Sequence, residues 1–263
     1  MIDLHSHVLA GVDDGPLELA GSLRLARAAV AAGTRVMAAT PHIGTHFRVV
    51  PGELSGLVAR LRDELAIKNV PLELVVGGEL APSHVVDATD ADLRAIALHG
   101  GSCLLLECPF TPSHGLVRAA ADHLQRKGYR VLLAHPERAP EFLQNPGSLD
   151  GMIAAGHFVQ VTAGSLRGDF GRTVRRFSLA LLDAGMVHVV ASDAHDDRWR
   201  PPAVLPIVRQ IAQRRKLPSA TVQFLCVDVP LALLKDEAIP PNPVDERRGR
   251  RFVRPRRRRR SPT

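Results

Sequence analysis

The chain opens Met1-Ile2-Asp3-Leu4-His5-Ser6-His7, an apolar-edged run that ends in His-x-His. Alternate side chains of a strand share a face, so His5 and His7 project to the same side, roughly 6–7 Å apart. Two neutral imidazoles converging there suit one zinc, manganese or iron ion. A lone His-x-His is more often two polar residues on a half-buried strand. The device recurs, however, near the other end. Ser192-Asp193-Ala194-His195 follows Met186-Val187-His188-Val189-Val190-Ala191 and puts Asp193 and His195 on one face. Two ligand pairs, each closing an apolar strand, point to a metal enzyme.

Between them, further acids and histidines stand where apolar runs stop: Asp14, His42, Glu79, Glu107 and His135. Glu79 after Gly77-Gly78 could instead cap a helix, and His135 before Pro136 could be a turn residue. Glu107 is harder to explain away, because a carboxylate behind Leu104-Leu105-Leu106 is costly to bury without a cation. Five histidines and four acids supply ligands for two or three metals. A carboxylate can bridge two metals through its two oxygens, which an imidazole cannot. Nitrogen and oxygen donors without thiolates favour manganese, zinc or iron over a structural zinc. Asp13 competes with Asp14 for one role, and the residues alone do not choose.

The elements that must position these groups alternate. After the opening strand, apolar runs over 35–40, 72–76, 103–107, 130–134, 158–161 and 186–191 read as strands. Helical spacing is expected over 19–33, 52–68, part of 83–98, 116–127, around 149–155, 171–183 and 203–215. Residues 162–166 read as a loop, and 222–227 as a short β-like piece. Alternation predicts an α/β fold with a parallel sheet and crossover helices. An open sheet gathers residues at one switch point, whereas a barrel brings every strand end to one mouth. Candidate ligands from six strand ends therefore predict a seven-stranded β/α barrel.

At 263 residues the chain is long enough to build that barrel in one piece. Cys103, Cys108 and Cys226 form no metal or disulfide framework, which suits a reducing compartment. No secretory signal and no ~20-residue apolar span are visible, so a cytoplasmic location is expected. The formal net charge of +7 is misleading: residues 244–263 hold ten arginines against Asp245 and Glu246, about +8. The remaining 243 residues are near −1, with no electrostatic reason to expect a nucleic-acid partner. Residues 1–239 are expected to form the barrel, and 240–263 a disordered basic tail able to contact acidic surfaces such as lipid head groups.

As a set, Leu4-His5-Ser6-His7, Gly11-Val12-Asp13-Asp14-Gly15, Ala39-Thr40-Pro41-His42, Gly78-Glu79, Leu106-Glu107, His135-Pro136-Glu137-Arg138 and Ser192-Asp193-Ala194-His195 resemble the PHP (polymerase and histidinol phosphatase) superfamily. Within it, the Asp-Asp-Gly loop and His-Pro-Glu-Arg are similar to the CpsB/CapC-type tyrosine-protein phosphatases of bacterial capsule and exopolysaccharide systems. The resemblance spans residues 1 to about 230 and implies a distorted TIM-like barrel of seven strands with a trinuclear, usually manganese-dependent site. It implies that His5, His7, Glu79 and Asp193 hold one metal. A bridging Glu79 with Glu107 and His135 would hold the second, and Asp14, His42 and His195 the third. Arg138 matches a family arginine that contacts phosphate, and Arg200 stands where the family carries another. The alternative for Arg200 is a surface residue beside Trp199. Ile43-Gly44 departs from the family, which often carries a second histidine or a differently built loop there.

The implied substrate is a phosphotyrosine protein, with a bacterial tyrosine kinase as partner. Metals lower the pKa of a bound water from 15.7 toward roughly 7, so hydroxide forms at neutral pH and no cysteine nucleophile or phosphoenzyme is needed. Histidinol phosphate or another small monoester is the runner-up substrate, and a PHP-type nuclease a more distant one. A binding module that has lost catalysis would be expected to lack ligands, and all nine are present. His46, His84, His99, His114, His123, His157 and His188 lie off the pattern, and Gln160 and Ser165 at the expected mouth have no assigned role.

Overall fold

The computed structural model describes residues 1–244 of the 263, so most of the expected basic tail, 245–263, lies outside the described residues. Strands and helices alternate through β1 (Ile2–Asp3), α1 (Leu19–Ala31), β2 (Val36–Ala39), β3 (His42–Ile43), α2 (Leu54–Ile67), β4 (Glu73–Val76), β5 (Glu79–Leu80) and α3 (Asp90–Ile96). They continue through β6 (Cys103–Glu107), α4 (Leu116–Arg126), β7 (Arg130–Ala134), α5 (Pro140–Gln144), α6 (Gly147–Ala154), β8 (Phe158–Thr162), α7 (Ala163–Arg167), α8 (Gly171–Asp183), β9 (Val189–Ala191) and α9 (Val204–Arg215). All strand pairings are parallel. The expected parallel α/β architecture is therefore present.

The strands form two sheets, β1-β2-β4 and β3-β5-β6-β7-β8-β9, rather than one sheet of seven. The difference has a local cause. Pro41 has no N–H to give to a ladder, so the expected second strand, 35–40, ends as β2, and a further strand, β3, begins past Thr40-Pro41. Its neighbour breaks at the same level: β4 ends before Gly77-Gly78, and β5 begins after it. Hydrogen bonds from Gly77 N to Ala39 O and from Glu79 N to Pro41 O, both 3.0 Å, carry the pairing across the double break. Both glycines are needed because of close packing. A Cβ on Gly78 would lie 2.9 Å from Ile43 and Ile96, and one on Gly77 would lie 2.8 Å from Leu98.

The chain past β1 stays extended between the two sheets. Ser6 forms a parallel bridge with Ala194, and Ser6 O accepts from Thr40 N at 2.8 Å. β6 and β7, central in the larger sheet, are buried except at Glu107 and Arg130, which explains their unbroken Leu and Val runs. Helices cover the outside, as in α2, where Leu54, Val58, Leu61 and Leu65 form the buried stripe.

Two segments differ from expectation. Residues 163–167 form the short helix α7 rather than loop. Residues 221–234 are helical throughout, as α10 (Thr221–Gln223), a π-helical turn (Phe224–Asp228) and α11 (Val229–Leu234), with no β-like piece. Val222–Val227 is rich in strand-favouring residues, but its buried Phe224, Leu225, Cys226, Val229 and Leu233 follow a helical face packed on β1 and β9. Pro230 has no N–H for the Cys226 carbonyl, and the turn ahead of it widens. Beyond it Asn242 donates to the Gly185 carbonyl at 2.8 Å and Val244 is buried, so order continues past residue 239.

Candidate metal centre

His5 and His7 lie just past β1, on backbone pinned by hydrogen bonds from Asp193 N to His5 O and from His7 N to Ala194 O, both 2.9 Å. Their rings lean together until the two Nε2 atoms are 3.3 Å apart, much closer than strand spacing alone predicts. Asp193 Oδ1 lies 3.4 Å from each of these nitrogens. Glu79 Oε2 lies 3.4 Å from His5 Nε2, 3.5 Å from His7 Nε2 and 3.1 Å from His42 Nδ1, while its Oε1 is 2.8 Å from His135 Nε2. The two oxygens of one buried carboxylate thus face different sets of imidazoles.

All nine strand-end residues fall into four overlapping groups whose donor atoms lie within 4.8 Å of one another. They are His5, His7, Asp193; His5, Glu79, His135; His42, Glu79, Glu107; and His7, Asp14, His42, His195. The division differs in detail from the one the resemblance implies, because Glu107 meets His42 rather than His135. β5, with Glu79, lies between β3, with His42, and β6, with Glu107, so Glu79 is the residue the two share, although β6 also pairs with β7, which ends just before His135. His5, His7, Glu79, His135, Asp193 and His195 are buried, and the site opens past Asp14, His42 and Glu107.

The donor set fits divalent cations. Glu79 Oε2, His42 Nδ1 and His195 Nε2 are buried yet make no hydrogen bond, although each has an oppositely charged or polar group at about 3.1 Å. A cation would satisfy several of these atoms together. Burial alone would lower the His7 pKa, but hydrogen bonds to Asp13 and Asp193 hold it up at about 10. Burial, reinforced by the neighbouring Glu79 charge, pushes Glu107 up to about 7. Burial opposes the charge on Glu79 and Asp193 too, but the adjacent His5 keeps both carboxyls well below their ordinary range.

Outer partners orient the imidazoles. His5 Nδ1 meets Gln160 Oε1 at 3.0 Å, His7 Nδ1 meets Asp13 Oδ2 at 2.6 Å, and His195 Nδ1 meets the Asp193 carbonyl at 3.0 Å. In these three rings the outward nitrogen is held, which leaves Nε2 aimed at the centre, as in metal-binding histidines generally. His135 Nδ1 has no such partner, and His42 turns Nδ1 toward Glu79. This separates the two aspartates. Asp14 Oδ1 faces the interior, 3.1 Å from His195 Nε2, whereas Asp13 grips His7 from outside and accepts from Gly15 N and His42 N.

Arg138 and Arg200 converge. Each donates to Asp193 Oδ2 at 2.6 Å, so Arg200 is not an unattached surface residue, unlike Trp199, which points outward. His135 and Asp193 both adopt left-handed backbone, at φ 38° and 53°, a conformation tolerated better by Asp and His than by bulkier residues. Three supporting residues escape sequence reasoning. Gln160 was placed at the expected mouth, but without a role. Asp3 accepts from Ser192 N at 3.0 Å, and Glu137 from Thr162 N at 2.9 Å. For Asp3 the signal was the same as for Glu107, an acid in an apolar run, whereas Glu137 stood within His135-Pro136-Glu137-Arg138 with nothing to mark it as buried. Gly44, in the departing loop, has φ 79° and a Cβ there would lie 2.2 Å from His84, so no other residue fits.

A family profile described as capsular polysaccharide synthesis, CpsB/CapC, matches residues 1–235. Tyrosine-protein phosphatase YwqE of Bacillus subtilis is 36% identical over 201 residues, 76% of this chain and 79% of that protein. Tyrosine-protein phosphatase CpsB of Streptococcus pneumoniae is 26% identical over 247 residues, 91% of this chain and 100% of that protein. A solved structure from work on these two proteins, described as metal-dependent tyrosine phosphatases, superimposes with a TM-score of 0.74 at 30% identity. It covers 92% of this chain and 98% of that one.

Proposed function

The chain belongs to the CpsB/CapC capsular polysaccharide synthesis family, and from that membership and its site we propose that it is a metal-dependent protein-tyrosine phosphatase. One observation carries the reading: nine acids and histidines from six strand ends meet in four overlapping groups beside two arginines that share one carboxylate oxygen. The proposed ligands are His5, His7, Glu79 and Asp193 for one ion, Glu79, Glu107 and His135 for a second, and Asp14, His42 and His195 for a third. Two or three divalent ions are proposed, manganese before zinc or iron. When bound, they supply Lewis acidity toward phosphoryl oxygens and acidify a coordinated water.

The chain's own groups do the rest. Arg138 and Arg200 offer planar N–H donors that match phosphate oxygens and counter the charge of the transition state. Asp193 holds both guanidinium groups at the edge of the imidazole cluster until substrate arrives. Gln160 and Asp13 fix the tautomers of His5 and His7, and the buried walls exclude water from the acids. The bridge between Ser6 and Ala194 supports a further reading, that both sheets belong to one distorted seven-stranded barrel. We also assign the barrel to residues 1–239, the location to the cytoplasm, and the substrate to a tyrosine kinase that governs capsule or exopolysaccharide synthesis.

The test is turnover with manganese of a phosphotyrosine peptide beside histidinol phosphate. The reading requires a large preference for the peptide, abolished by His5→Ala and by Glu79→Ala. Preference for histidinol phosphate would keep the site and reject the substrate, and turnover of neither would reject the enzyme.

A further inference from the structure

Two phenylalanines stand at the phosphate-binding edge of the site without a role. Phe110 lies in the loop after β6, three residues beyond Glu107, and Phe170 lies between α7 and α8. The Arg138 guanidinium carbon sits 4.2 Å from the Phe110 ring centre and 4.0 Å from that of Phe170. Phe110 also leans on His135, with ring centres 5.2 Å apart at 35°. It therefore touches both a proposed metal ligand and a proposed phosphate-binding arginine. The two rings differ in exposure. Phe170 is half-buried, whereas Phe110 is 51% exposed although it borders a site of charged and imidazole groups.

Resting on the phosphatase reading, we propose that Phe110 determines specificity by forming the wall against which the aryl ring of a phosphate monoester packs. A phosphate engaged by Arg138 puts its ester oxygen close to the ring that covers that arginine. The group carried by that oxygen must then leave the charged centre past Phe110, whose uncovered surface is apolar. An aryl group can stack there, offset or edge to face, and gain beyond its buried area. The methylene of an alkyl phosphate has no such face. Phe170, on the same guanidinium but less exposed, keeps Arg138 in place from the inner side.

The test compares two non-hydrolysable ligands, phenylphosphonate and propylphosphonate, titrated calorimetrically into the full chain loaded with manganese. The readout is the ratio of their dissociation constants, so effects on the shared phosphonate site cancel. Phe110→Ala and Phe110→Leu are expected to weaken phenylphosphonate relative to propylphosphonate by roughly three- to tenfold. Phe110→Tyr restores the ratio. Because Phe110 is half exposed, the variants should keep the unfolding temperature of the native chain, which circular dichroism checks. Equal weakening of both ligands would overturn the proposal, since Phe110 would then act only through Arg138, and so would an unchanged ratio in a folded variant. If the native chain binds neither ligand and hydrolyses no monoester, the phosphatase reading fails and takes the proposal with it.

Discussion

His7 is held between Asp13 on one ring nitrogen and Asp193 and Glu79 on the other. Burial works against its charge, yet the acids around it keep its pKa at about 10, above the ordinary 6.5. Without metal the ring therefore keeps its proton throughout the neutral range, and a metal that takes Nε2 must expel it. Affinity should rise with pH below about 10, by up to tenfold per unit for each proton released. The sign for the metal-free fold is separate. A raised pKa contributes stability that is complete below 6.5 and is lost as pH rises through about 10. Asp13→Asn removes the acid that contributes most to the elevation. Titration of manganese at pH 8 in buffers of different ionisation enthalpy should then show about one proton fewer released than for the native chain. Equal proton release by the two chains would refute the role given to Asp13. This pair also marks the limit of residue-level legibility. Asp13 and Asp14 are adjacent acids in one loop, and only the turn's three-dimensional path decides which of them faces inward.

The strand breaks at Thr40-Pro41 and Gly77-Gly78 set the height at which His42 and Glu79 enter the site, because β3 and β5 begin at those residues and pair His42 with Glu79. Gly78 has no room for a side chain: its Cβ would press on Ile43 and Ile96 at 2.9 Å, both fully buried and unable to retreat. Gly78→Ala should therefore cost about 1–3 kcal/mol of overpacking and displace Glu79. Gly52→Ala is the control, since a Cβ there meets nothing within 4 Å and should change stability by less than about 0.5 kcal/mol. Chemical denaturation checks both, and equal midpoints would show that the break tolerates bulk. The apolar runs made the positions of these strands legible, because burying a strand on both faces demands such runs. Their division was not legible, since it depends on two breaks lying side by side in different strands. Residues 221–234 misled for a related reason. Val222–Val227 has strand-like composition, and only packing against β1 and β9 makes its helical face the buried one.

Across the whole chain, charge and chemistry are separated. Residues 1–243 are near neutral, and the excess of about +8 belongs to 244–263. The candidate metal-site residues were legible because most of them are expensive polar groups closing apolar runs, a pattern that recurs at six strand ends. Phe110 and Phe170 were not, because an aromatic in a loop carries no such cost. The proposed phosphate-binding charge within the fold is that of Arg138 and Arg200, both held on Asp193. The arginine run is not needed to bind a small monoester, and no long-range pull is needed for a small ester at physiological salt, where the Debye length is about 8 Å. Deleting residues 245–263 should leave kcat/KM for an aryl phosphate within about twofold of the full chain, a change of under about 0.5 kcal/mol. The same deletion should abolish salt-sensitive sedimentation with vesicles rich in anionic lipid, to which each basic residue near the surface contributes about 1 kcal/mol. A large fall in turnover would mean that the run reaches the active site. Unchanged vesicle binding would assign the membrane attraction to the folded part, whose near-neutral charge gives no reason to expect it.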